Sequence, residues 1–201
     1  MIPPGLEETI RKAALMLPGW QSPERSLAHA MLALSERPKC MVEIGVYGGR
    51  SLIPCALVLK WNQFGKVYGI DPWHKETAVH GVPEKDKDGW SYMDFSKIHE
   101  GFMNAVRDYG VEDYVVPIRA KSQDARSLFG FGEIDILHID GSHDEEDAVQ
   151  DVKSYLPLMK HPGGYIWLDD TDFPSLKRAV RLLDDRAELQ QNHGTFRLYR
   201  V

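Results

Sequence analysis

Residues 41–71 read MVEIGVYGGRSLIPCALVLKWNQFGKVYGID, and this stretch decides the fold. It opens on a short apolar run, Met41 to Ile44. A glycine cluster follows at Gly45, Gly48 and Gly49. Ser51 to Trp61 then reads as a helix, with Pro54 tolerated in its first turn. A second short run, Lys66 to Ile70, ends directly at Asp71. Strand, tight turn, helix and strand together form the repeating unit of a parallel sheet, because parallel strands need a crossover between them. Within it, Gly45 to Gly49 lets the backbone turn sharply and approach a ligand closely before the helix begins.

The same alternation continues outward. Ser96 to Tyr109 reads as a helix closed by Gly110, and Tyr114 to Ile118 as a strand. Ala125 to Leu128 is a short helical piece. Ile134 to Ile139 is a strand ending at Asp140, and Glu145 to Leu158 a helix closed by Pro162-Gly163-Gly164. Tyr165 to Leu168 is a strand ending at Asp169, and Ser175 to Asp185 a helix. Glu188 to Asn192 and Thr195 to Val201 flank His193-Gly194 as a terminal hairpin. Five strand–helix units with short apolar strands predict a doubly wound α/β fold, with helices on both faces of a mostly parallel sheet. The hairpin adds antiparallel strands at one edge. Upstream, Leu6 to Leu17 and Ser22 to Arg37 read as two helices broken at Pro18-Gly19. The second carries Ser22 as N-cap, Pro23 at its first position and Glu24 in its first turn. Residues 1–40 thus form an N-terminal helical cap over a main domain of residues 41–201.

A chain of 201 residues suits one such unit. Its 43% hydrophobic and 27% charged residues are those of a globular protein rather than a disordered one. Lys and Arg number 24 against 30 Asp and Glu, a net charge of −6 with no basic block. That balance excludes a protein that grips nucleic acid through its phosphates. No apolar run reaches the ~18 residues of a membrane span. Glu7 and Glu8 fall where a signal peptide would be basic and then apolar. Cys40 and Cys55 form neither a disulfide framework nor a CxxC pattern, so both read as reduced thiols of a cytoplasmic protein.

In sheets of this kind ligands bind beyond the carboxyl ends of the strands. Asp71, Asp140 and the Asp169-Asp170 pair all stand there. Asp71 lies 22 residues after Gly49, the spacing of an acid that accepts hydrogen bonds from a ribose diol. Tyr47 holds the place of the second glycine in a dinucleotide fingerprint, and there is no Tyr-x-x-x-Lys pair, so a nicotinamide-dependent reductase is disfavoured. Three carboxylates on one rim, Asp140, Asp169 and Asp170, would repel each other, and a hard divalent cation relieves that repulsion. Asp172 could take the place of Asp170. His138, inside a strand, reads as a hydrogen-bonded core histidine. Trp73 to Phe95 is long for a loop and carries Trp90, Tyr92 and Phe95, which either cover an acceptor or pack on the domain. The charge run Glu84 to Asp88 within it reads as a solvated turn.

Glu43-x-Gly45-x-x-x-Gly49 followed by Gly69-Ile70-Asp71 resembles the first two motifs of class I S-adenosylmethionine-dependent methyltransferases. Ile139-Asp140-Gly141-Ser142-His143 and Gly163 to Asp170 are similar to the branch holding the macrolide and aminocoumarin sugar O-methyltransferases and the cephalosporin hydroxylase group. The resemblance implies a seven-stranded Rossmann-like sheet. It implies that the loop with Glu43, Gly45, Tyr47 and Gly49 binds the methionine part of S-adenosyl-L-methionine, that Asp71 binds its ribose, and that Ser122 and Gln123 flank its adenine. It further implies Mg²⁺ or Mn²⁺ on Asp140, Asp169 and Asp170, with His143 as general base and Asp140 beside it in catalysis. The expected reaction is metal-dependent methyl transfer to a hydroxyl of a small molecule, sugar-like or catechol-like with vicinal oxygens. The alternative is a cofactor-binding protein without transfer activity. A small-molecule acceptor is the expected partner, with no nucleic acid and no membrane, and a homodimer is common in this kind of fold.

Overall fold

The computed structural model describes residues 3–80 and 89–201. Two helices lead the chain. In α1 (Pro4–Met16) Leu6, Ile10, Ala13 and Ala14 are buried on one stripe. In α2 (Pro23–Glu36) the Ser22 hydroxyl caps the helix by accepting from the Arg25 N–H at 3.2 Å. Then β1 (Cys40–Ile44), α3 (Leu52–Asn62) and β2 (Lys66–Ile70) complete the unit read from residues 41–71. The short α4 (Lys75–Ala78) precedes α5 (Phe95–Asp108), whose N-cap is Asp94. The charge run Glu84 to Asp88 lies outside the described residues. Next come β3 (Val115–Ile118), α6 (Ser122–Ala125), β4 (Ile136–Ile139) and α7 (Glu145–Tyr155). The chain ends with β5 (Tyr165–Asp169), α8 (Lys177–Asp184), β6 (Glu188–Asn192) and β7 (Phe196–Arg200).

The seven strands lie in the order β3-β2-β1-β4-β5-β7-β6. The first five are parallel, and β7 enters antiparallel against β5 with β6 outside it. This is the predicted Rossmann-like methyltransferase sheet with its hairpin at one edge. The chain reverses its direction of travel across the sheet between β1 and β4, which opens a crevice beyond their carboxyl ends. Some boundaries move for local reasons. The helix expected to reach Leu158 leaves α-geometry at Tyr155, and its last turn is 3-10 around Pro157, which has no N–H to continue the ladder. The strand expected from Ile134 begins at Ile136, because the Ile134 backbone pairs instead around Met159, donating to the Leu158 carbonyl and accepting from the Lys160 N–H.

Helix α3 is buried on every side from Leu52 to Leu59. A helix apolar all round needs cover on both faces. The sheet supplies one face, and α1 and α2 supply the other. The opposite side of the sheet is covered by α7 and α8, around Val149, Val152, Tyr155, Ala179 and Leu183. Among the described residues no helix is long and apolar enough to cross a membrane.

Candidate active site

The glycine loop is built to a tolerance that excludes side chains. Gly45 has φ +88°, and a Cβ there would stand 1.9 Å from the Asp140 carbonyl oxygen. Gly49 has φ +83°, and its Cβ would meet the Phe102 ring at 2.7 Å. Tyr47, where the fingerprint glycine is missing, still adopts the left-handed backbone that glycine favours, at φ 49°. That conformation costs about 1–2 kcal/mol for a residue with a Cβ. Two neighbours pin it. The Tyr47 N–H donates to Asp71 Oδ2 at 2.9 Å, and the Tyr47 carbonyl accepts from the Trp73 indole at 2.8 Å.

Asp71 is therefore first an anchor of the loop. Its Oδ2 also accepts from the Val46 N–H at 3.0 Å, and its Oδ1 from the Trp73 N–H at 2.7 Å. A carboxylate offers about four acceptor positions, of which the backbone fills three among the described residues. Burial raises the Asp71 pKa, and the N–H groups of Tyr47, Trp73 and Val46 oppose it. Ser122 and Gln123, at the end of β3, both donate to Asp151 Oδ1, at 2.5 and 3.0 Å. Arg50 ties the start of α3 to the N-terminal segment by donating to the carbonyls of Leu17 and Gln21.

Beneath the loop runs a buried chain of charges. Glu43 is not turned to a ligand. It is buried, accepts from the Ser51 hydroxyl at 2.6 Å, and faces His138 Nδ1 at 3.2 Å. His138 Nε2 stands 2.9 Å from Asp169 Oδ2. Burial alone would push His138 down, but the bonds to Asp169 and Glu43 and then their charges hold it well above the ordinary histidine range. It is a core histidine that bridges two buried carboxylates. His29 meets it edge-on at 4.7 Å, with neither ring nitrogen partnered among the described residues. Burial and then the His138 charge keep His29 neutral, well below its ordinary value. At the far end Arg25 Nη2 lies 2.9 Å from Asp169 Oδ1, an ion pair without the alignment of a hydrogen bond.

On the rim, Asp170 adopts φ 55° and sends its Oδ2 to within 2.7 Å of His143 Nε2. The turn after Asp170, closed by the Phe173 N–H on its carbonyl, returns Phe173 to stack on His143 at 4.4 Å. Asp144, not His143, caps α7. Asp140 is half-buried with no side-chain partner among the described residues. Burial, then Asp169, push its pKa well above the carboxylate range, while His138 opposes them.

The expected metal trio does not assemble. Among the described residues the three-donor groups within 4.8 Å are His138, Asp140 and Asp169, and His29, Glu43 and His138. Asp170 is in neither, because its carboxylate is turned to His143; Asp172 is exposed and is in neither. In the first group His138 spends both nitrogens on carboxylates, and Asp169 is met on both oxygens by Arg25 and His138. A histidine with both nitrogens already facing carboxylates has none to turn to a metal. Among the described residues only Asp140 of this group is left without a side-chain partner, so as arranged the donor set does not fit Mg²⁺ or Mn²⁺.

Residues 42–171 match the family model described as a methyltransferase domain. The chain belongs to this methyltransferase family. No curated protein sequence matches significantly. Solved structures do. Cofactor-bound Rv0187 from MTB is 20% identical with a TM-score of 0.67, over 98% of this chain and 88% of that one. SAH-bound PaMTH1 of Podospora anserina is 17% identical at 0.68, over 99% and 88%. The O-methyltransferase TomG of Streptomyces achromogenes, in complex with SAM, is 18% identical at 0.66, over 100% and 91%.

In this methyltransferase three exposed or half-buried aromatics gather over the glycine loop. Trp20 lies 4.6 Å from Tyr47 and 4.9 Å from Trp90, and Trp90 stacks on Phe95. Sequence reading singled out Trp90 and Phe95 but not Trp20, which reaches the loop only because Arg50 fastens the Leu17–Gln21 turn there. It likewise missed Arg25 and His29, since nothing local in an amphipathic helix marks a residue that pairs far along the chain. A surface cavity of about 390 Å³ is lined by Trp73, Met93, Phe95 and Arg119 among others. A larger one, about 570 Å³, lies around Pro162 and Arg186 at the amino end of β5, away from the rim.

Proposed function

We propose that the chain is an S-adenosylmethionine-dependent O-methyltransferase acting on a hydroxyl of a small, ring-shaped acceptor, sugar-like or catechol-like. The observation that carries the reading is the His143–Asp170 pair, set on the same rim as the glycine loop and Asp71. The names of TomG and NovP, both O-methyltransferases, and the SAM or SAH bound in TomG and PaMTH1 support it.

The Gly45–Gly49 loop would hold the methionine part of the cofactor, the fourth acceptor position of Asp71 a ribose hydroxyl, and the Ser122–Gln123 turn the adenine. When bound, the cofactor supplies a methyl group on a positively charged sulfur. The chain must then orient the acceptor oxygen and take its proton. Asp170 holds the proton on His143 Nε2, which leaves Nδ1 to receive one from the acceptor. Once His143 is charged, Asp170 compensates it, as a carboxylate does behind a catalytic histidine. Trp20, Tyr47 and Trp90 offer flat faces on which an acceptor ring can rest.

Calorimetry with S-adenosylhomocysteine tests the cofactor half. Wild type binds, and Asp71→Ala loses roughly ten- to hundredfold in affinity, the worth of a charge-assisted hydrogen bond. Unchanged affinity in the variant, or no binding by wild type, defeats the assignment. Transfer of labelled methyl to a panel of sugars and catechols tests the reaction.

A further inference from the structure

We infer that the Arg25 guanidinium neutralises this rim in place of a divalent cation, so that methyl transfer here proceeds without a metal. The inference rests on the functional reading above.

Arg25 is not a wandering surface charge. Its backbone N–H is the one that the Ser22 cap accepts, which fixes its place in the first turn of α2. Its guanidinium donates to the Thr195 hydroxyl at 3.3 Å and lies over the Phe196 ring at 5.2 Å, so the hairpin holds its outer end. The inner end meets Asp169, which is only 2% exposed. Gln21 closes the other side, with Nε2 3.5 Å from Asp169 Oδ2 and its own Oε1 accepting from Ser26. A guanidinium stays charged at any working pH and presents its donors in a fixed fork.

A cation on Asp169 Oδ1 would face that permanent charge at contact. One on Oδ2 would have to displace the His138 Nε2 that stands 2.9 Å from it. Asp170 is committed to His143. Asp140, the carboxylate left without a partner among the described residues, remains to accept a hydrogen bond from the acceptor. The rim thus carries its countercharge on the protein itself, delivered by the N-terminal helices that lie outside the matched family region.

The test is a titration of Mn²⁺ into the full chain with S-adenosylhomocysteine present and no acceptor, followed by calorimetry and electron paramagnetic resonance. Wild type shows no stoichiometric binding in the micromolar range. Arg25→Gln, which keeps a polar side chain but removes the charge, gains roughly tenfold or more in Mn²⁺ affinity. Turnover by wild type is unchanged in EDTA. The inference is overturned if wild type binds one Mn²⁺ tightly and Asp140→Asn abolishes it, or if EDTA stops turnover and Mn²⁺ restores it. It is also overturned if Arg25→Gln, folded as judged by S-adenosylhomocysteine binding, gains no affinity for Mn²⁺. Should that variant fail to fold, the wild-type titration and the EDTA comparison decide. Absence of transfer to every acceptor, with the titrations as expected, would count against the functional reading alone.

Discussion

On the proposed reading, His143 is where a single residue decides the reaction. Its Nε2 is engaged by Asp170 and its ring is held flat by Phe173, so the imidazole has little freedom to turn and, among the described residues, no hydrogen-bond partner on Nδ1. A positioned base contributes about 10²–10⁴ in rate. His143→Ala is therefore expected to lower kcat by that factor while leaving the affinity for S-adenosylhomocysteine unchanged. Asp170→Asn should cost less, because the histidine remains. A near-normal kcat in His143→Ala would pass the role to Asp140. The candidates themselves were legible, since His143, Asp140 and Asp170 all follow strands. Their pairing was not. Asp170 reaches His143 through a left-handed backbone at φ 55°, and no pattern in Leu168-Asp169-Asp170-Thr171 announces that turn. Glu43 misled for a related reason: alternation along a five-residue strand places its side chain, but only the neighbouring strand shows that His138 is waiting for it.

At the scale of elements the alternation of strands and helices was readable, because short apolar runs ending in Gly or Asp differ plainly from longer amphipathic ones. What composition does not report is how many layers a helix needs. Leu52 to Leu59 is apolar on all sides, and this already implies a third layer outside α3. The layer is α1 and α2, whose Leu6, Ile10, Ala13, Ala30 and Ala33 lie in the same core as Ile53, Val58 and Phe102. That shared core argues that residues 1–40 and 41–201 fold together. A chain of residues 41–201 alone should therefore expose the outer face of α3 and aggregate, with no cooperative thermal transition. It would also lose Arg50's anchors at Leu17 and Gln21, and with them the turn that carries Trp20. If residues 41–201 stay monomeric and bind S-adenosylhomocysteine as the full chain does, the N-terminal helices are a cap after all.

Over the whole molecule, the −6 net charge is less informative than where the acids are buried. Asp151 is 3% exposed beneath the Ser122–Gln123 turn. Burial lifts its carboxyl from an ordinary 3.8 to about 6; the Ser122 hydroxyl opposes this and the Asp147 charge adds to it. The folded chain therefore holds this proton more tightly than the unfolded chain does. Stability contributed by the group is fully present below about pH 4. It is lost as pH rises toward 6, where the folded carboxyl must ionise in a buried place. A shift of about two units corresponds to on the order of 3 kcal/mol. Asp151→Asn removes the titration and keeps an oxygen to accept from Ser122. The stability of the variant minus that of wild type should therefore grow by on the order of 3 kcal/mol between pH 4 and pH 7, read from urea unfolding at each pH. The other buried titratable groups are the same in both proteins, so the difference isolates Asp151. A gap that stays flat with pH would mean that Asp151 is ionised in the fold throughout, with Ser122 and Gln123 sufficient to hold its charge.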